Sequence, residues 1–100
     1  MRSTAIATLL LLVFAATAAA EIRTFERPRI GGMRLDWCLT WARACGKPAA
    51  DAFCERRGYV GALNFAMEPN VGATEPTRLI TGAVCDADMC NGFTHVSCAR

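Results

Sequence analysis

Six cysteines in a short chain constrain this protein more than any other feature. Cys38, Cys45, Cys54, Cys85, Cys90 and Cys98 all lie beyond residue 37 of a 100-residue sequence. An even number of cysteines in a short exported chain reads as a disulfide framework. The alternative is a zinc site, which favours close C-x₂₋₄-C pairs that recur or are followed by paired histidines. The gaps here are six, eight, thirty, four and seven residues, and His95 is the one histidine. Cys85 and Cys90 form the one tight pair and have no counterpart. The spacing therefore favours three disulfides over a metal, and the reading includes no metal and no cofactor.

The amino terminus places those cysteines in an oxidising compartment. Met1-Arg2 precedes an apolar run, Ala5 to Ala16, and Ala18-Ala19-Ala20 sets small residues before Glu21. That is the pattern of a cleaved signal peptide at residues 1–20. The run is near a dozen residues, short of the roughly 20 needed to span a bilayer. We therefore expect a secreted or periplasmic protein with no stable membrane insertion. Residues 21–34 read as an arm and 35–100 as a six-cysteine domain.

Without Arg2 the chain carries ten basic and nine acidic side chains. A nucleic-acid-binding domain of this size shows a strongly basic patch or stripe, so no nucleic-acid partner is expected. Some 38 of the 80 residues after the leader are hydrophobic, an ordinary globular share. A chain this short buries only about 60% of its unfolded surface. Disulfides worth about 2–4 kcal/mol each then supply much of its stability.

Two helices and a sheet are expected, an α+β fold. In the arm, Pro28 and Gly31-Gly32 limit the chain to short extended pieces docked through Ile22, Phe25, Ile30, Met33 and Leu35. Residues 35–44 read as a first helix, with Asp36 as N-cap and Trp37, Leu39, Trp41 and Ala44 at helical spacing. The second helix opens at Gly46-Lys47-Pro48 and runs through Ala49, Ala50, Ala52, Phe53 and Cys54. Arg56-Arg57 suit its negative end, and Gly58 takes the left-handed position with Tyr59 as its apolar clasp. Strands follow over residues 60–67, 77–85 and 93–98, forming a small antiparallel sheet. Alternation along the last strand puts Val96 and Cys98 on one face, and Phe93, His95 and Ser97 on the other.

Helix geometry restricts the pairing. Nine helical steps separate Cys45 from Cys54 by roughly 13 Å, and seven separate Cys38 from Cys45 by about 10 Å. A disulfide needs Cα atoms within about 7 Å. Each N-terminal cysteine is then expected to bond one of Cys85, Cys90 and Cys98, which leaves six arrangements and excludes a Cys85–Cys90 loop.

Several segments resemble a group of small exported six-cysteine proteins of plants and bacteria. They are Arg34-Leu35-Asp36-Trp37-Cys38-Leu39, Trp41, Cys45-Gly46-Lys47-Pro48-Ala49-Ala50-Asp51-Ala52-Phe53-Cys54, Gly58-Tyr59, Pro76-Thr77-Arg78, Cys85, Cys90, Gly92-Phe93 and Cys98. The resemblance implies a single disulfide-held domain. It brings no activity and no functional residue with it.

Chemistry-bearing groups are sparse. His95 is the one side chain that ordinarily titrates near neutral pH. Its neighbours Thr94 and Ser97 are candidate nucleophiles for a small hydrolase, against the plainer reading of an exposed strand histidine. Asp51 and Glu55, four apart on the second helix, read as a solvated face. Asp86, Asp88 and Asn91 make an oxygen-rich turn without the glycine and terminal glutamate of a calcium loop.

Trp37 and Trp41 are the strongest ligand candidates. At helical spacing they would share one face, serving either the core or a sugar or apolar partner. Arg78 and the arm arginines could hold anionic groups, or simply pair with the acids among them. The first functional reading is a non-enzymatic, monomeric binding module for an extracellular glycan or protein. Alternatives are an inhibitor or toxin-like effector acting through the Glu68–Arg78 loop, and the His95 hydrolase.

Overall fold

A computed structural model describes residues 21–100. The proposed signal peptide lies outside the described residues. The described residues form nine strands, one α-helix and one 3₁₀ turn. This is an α+β fold made mostly of strands, and the expectation of two N-terminal helices is corrected to one helix.

Residues 21–34 extend along the domain as short strands. β1 (Ile22–Glu26) pairs antiparallel with β9 (Gly92–Ala99), and β9 pairs antiparallel with β6 (Gly61–Glu68). β2 (Arg29–Ile30), β3 (Met33–Leu35), β7 (Thr77–Arg78) and β8 (Val84–Cys85) form a second sheet in that order, with β3 and β7 parallel. β4 (Cys38–Thr40) and β5 (Arg43–Cys45) make a separate hairpin.

That hairpin replaces the expected helix over residues 35–44. Trp41 and Ala42 form its turn, and Ala42 and Ala44 both hold positive φ, 57° and 54°. Those values are incompatible with a right-handed helix. Asp36 still uses its cap chemistry: its Oδ1 accepts from the Cys38 amide at 2.8 Å. A short acid that takes an amide two residues ahead can start a helix or make an Asx turn. Here it makes the turn.

The pairing of the cysteines follows from this change. Cys38 and Cys45 are directly opposed across β4 and β5 and bond each other. Cys85 bonds Cys90, so the loop that helix geometry had excluded does form. With the first helix gone, the elimination that sent Cys38 and Cys45 to the C-terminal half no longer applies. Cys54 does bond one of the three C-terminal cysteines, Cys98, and that bridge pins the helix to β9. Three disulfides and no free cysteine suggest an oxidising, extracytoplasmic compartment.

The helix, α1 (Lys47–Arg56), forms as its sequence indicates. Pro48 sits in the first turn, where a missing N–H costs nothing. At the other end the Tyr59 amide donates to the Cys54 carbonyl at 3.0 Å and the Gly58 amide to the Glu55 carbonyl at 3.1 Å. Gly58 holds φ 88°, the left-handed stop of a Schellman motif. Ala49, Ala50, Phe53 and Cys54 face the core against Leu35, Tyr59, Ile80, Phe93, Val96 and Cys98. The Phe25 and Phe53 rings pack nearly perpendicular, with centroids 5.2 Å apart.

Two bulges set which residues of the main sheet point inward. Leu63 is the extra residue between Ala62 and Asn64, and Thr94 the extra residue between Phe93 and His95. Strict alternation would put Phe93 opposite Val96. The Thr94 bulge resets the parity, and Phe93 is fully buried beside Val96 and Cys98.

Asp51 joins α1 to β6. Its carboxylate accepts from the Ala62 amide at 2.8 Å and from the Lys47 ammonium at 2.9 Å. Partial burial pushes its pKa up, but the Ala62 amide and Lys47 outweigh that and hold it below the ordinary 3.8. A depressed pKa stabilises the fold above the unfolded value and is lost as pH falls through the folded one. Asp51→Asn is therefore expected to cost about 1–2 kcal/mol at neutral pH and to flatten the loss of stability below about pH 4, read from urea midpoints across pH.

Among the described residues, no helix is long and apolar enough to cross a membrane.

Candidate functional site

The β4–β5 hairpin and the Cys85–Cys90 loop face each other across an open cleft of about 420 Å³. Trp37, Cys38, Trp41 and Ala42 line one wall, and Cys85, Asp86, Ala87, Met89, Cys90 and Asn91 the other, with Asp36 and Leu79 between them. Both walls are closed covalently, one by Cys38–Cys45 and the other by Cys85–Cys90. The Trp37 amide ties them together, donating to the Asn91 carbonyl at 2.9 Å.

The two tryptophans meet at this cleft, though not on a helix face. Trp37 is half-buried, its ring 4.8 Å from that of Phe93 and 5.7 Å from that of Phe65. Gly46 makes this seating possible, since a side chain there would come within 3.1 Å of the indole. Trp41 stands at the hairpin turn and is 61% exposed. Met89 opposes it at 76% exposure. Both are among the most exposed large apolar side chains of the described residues, and they stand on the same cleft.

Most polar groups of the cleft already have partners. Asp36 is buried, its Oδ1 accepting from the Cys38 amide and its Oδ2 from the Thr77 hydroxyl at 2.5 Å. Asn91 Oδ1 accepts from the Asn70 amide at 2.9 Å. What the cleft offers a ligand is therefore chiefly indole, thioether and disulfide surface, with the exposed Asp86 carboxylate beside it.

Arg78 does not join the tryptophans. It lies in β7, its side chain packed beneath Gly31, where a Cβ would meet its guanidinium at 2.6 Å. Arg34 is buried, pairs with Glu68 at 2.6 Å and donates to the Phe93 carbonyl at 2.9 Å, so it braces the fold.

The arm arginines line a shallow groove beside β1 with Arg57. Arg29 pairs with Glu75 through both nitrogens, at 3.0 and 3.1 Å. The Arg57 guanidinium lies over Phe53 at 4.8 Å and the Arg23 guanidinium over Phe25 at 4.7 Å. These cation–π and ion-pair partners account for three of the arginines without a ligand.

His95 sits on β9 away from the cleft. Its Nε2 meets Asn64 Oδ1 at 2.9 Å and its Nδ1 meets Thr94 Oγ1 at 3.1 Å. Ser97 is buried with its hydroxyl against that of Thr24 at 2.7 Å. The bulge that turns Phe93 inward also brings Thr94 and His95 side by side. Neither lines the tryptophan cleft or the groove beside β1.

The Glu68–Arg78 segment is held down. Val71 is buried, the Gly72 amide donates to the Cys90 carbonyl at 3.0 Å, and Glu75 is engaged by Arg29.

The aromatic wall was visible in the sequence, but the opposing wall was not. Asp36, Leu79, Met89 and Asn91 reach the cleft only through the parallel β3–β7 pairing and the Cys85–Cys90 closure. The tight Cys85-x₄-Cys90 spacing was the available signal.

No protein-family model, curated protein or solved structure matches the chain.

Proposed function

We propose that this is a secreted or periplasmic, non-enzymatic binding module. Its partner is another extracytoplasmic protein, one side chain of which enters the Trp37–Trp41 cleft. The observation that carries this reading is the open aromatic cleft held between two disulfide-closed segments. Rigid walls lower the ordering cost of binding, and an exposed tryptophan provides a large contact area for a partner.

A protein side chain suits the cleft better than a sugar. Glycan binding combines stacking with many hydrogen bonds to hydroxyls. The cleft is lined by few polar side chains, Asp36, Asp86 and Asn91, the first and last of which already make hydrogen bonds within the fold. The inhibitor reading needs a protruding Glu68–Arg78 loop, whereas Val71 anchors that loop in the interior.

Fluorescence titration of the oxidised protein tests the reading, with short apolar-side-chain peptides and neutral oligosaccharides as probes. A saturable shift with peptides is expected. Trp41→Ala should weaken it at least tenfold while moving stability by less than about 0.5 kcal/mol, because the side chain is exposed. Saturable binding of oligosaccharides alone would make the partner a glycan. Equal peptide binding by Trp41→Ala would remove the cleft from the function.

A further inference from the structure

Charge narrows what the cleft accepts. Twelve residues line it, and the only ionisable ones are acidic, Asp36 and Asp86. This holds although basic residues slightly outnumber acidic ones from residue 21 onward. Asp36 is 6% exposed. The ion pairs among the described residues are Arg29–Glu75, Arg34–Glu68, Lys47–Asp51 and Arg100–Glu21, and Asp36 is in none of them. Its two hydrogen bonds leave further acceptor capacity, since a carboxylate offers about four lone-pair sites.

Two indoles share the cleft with these carboxylates. The face of an indole attracts a cation, and tryptophan is the strongest of the aromatic side chains in this respect. Trp41 and Met89 add exposed apolar surface suited to a methylene chain. The combination of an apolar trough, aromatic faces and acidic lining residues matches a side chain with an apolar stem and a cationic head.

We infer that the cleft recognises a basic side chain, a lysine or arginine of the partner protein. The stem covers Trp41 and Met89, and the cationic head lies beside the acidic side chains of the cleft. This rests on the cleft being the binding site proposed above.

Blocked single residues separate the two claims. N-acetyl-lysine methylamide and its neutral counterpart N-acetyl-norleucine methylamide are titrated into the oxidised protein. A neutral disaccharide is added as a third arm, and the two indole N–H resonances are followed by NMR. The lysine probe is expected to bind at least tenfold more tightly than the norleucine probe. Asp86→Asn, an exposed change checked for an unaltered unfolding midpoint, should narrow that ratio severalfold. If norleucine binds as well as lysine, the basic-residue inference fails and the apolar-cleft reading stands. If neither amino-acid probe moves the indole signals, both fail. A response to the disaccharide alone also overturns both and assigns the cleft to glycans.

Discussion

Replacing Cys54 and Cys98 together by alanine is expected to destabilise the domain by about 4 kcal/mol. The bond closes a loop with a sequence separation of 44, against 7 for Cys38–Cys45 and 5 for Cys85–Cys90. Loop-closure entropy then assigns about 4 kcal/mol to the long bridge and a little over 2 kcal/mol to each short one. Both sulfurs of the long bridge are also fully buried between α1 and β9, so the double substitution opens space in the core as well. Denaturant midpoints of the three paired variants should rank accordingly, with the long bridge the most damaging. A small domain has only about 5–15 kcal/mol to lose. If removal of a short bridge proved as damaging as removal of Cys54–Cys98, the order of importance drawn from this topology would be wrong.

Phe93→Ala is expected to cost about 3–5 kcal/mol, the range for truncating a fully buried phenylalanine. Phe93 has no exposed surface, and its ring contacts both Trp37 and Phe65. Its loss should therefore also unsettle one wall of the cleft. The expected signature is a lower denaturant midpoint together with red-shifted tryptophan emission and weaker peptide binding. Phe93→Leu retains most of the volume and should lose far less on each count. A stable Phe93→Ala protein with unchanged emission would mean that Trp37 does not lean on the core as described.

The contrast between the helix and the hairpin shows what is legible in such a chain. α1 announces itself through Pro48 at one end and Gly58-Tyr59 at the other, because each residue there performs a local backbone task. The β4–β5 hairpin gives no such notice. Its turn requires positive φ at Ala42, where glycine or asparagine would normally signal it. Trp37 and Trp41 happen to fall at helical spacing, and Asp36 serves an Asx turn as readily as an N-cap. The mistaken helix then misdirected two of the three disulfides. β2, β7 and β8 are two residues long, too short for any periodicity to show. Phe93 is turned into the core by a bulge that the residues around Thr94 do not advertise. The cleft combines all of these: its tryptophans were evident, while its far wall depends on pairings between distant segments.

A selection of random displayed heptapeptides against the oxidised protein, with counter-selection on Trp41→Ala, tests the central claim most directly. The enriched peptides should carry a lysine or arginine flanked by apolar residues, compete with one another and bind Trp41→Ala at least tenfold more weakly. Enrichment of peptides that bind Trp41→Ala as well as the unaltered protein would contradict the assignment of binding to the Trp37–Trp41 cleft.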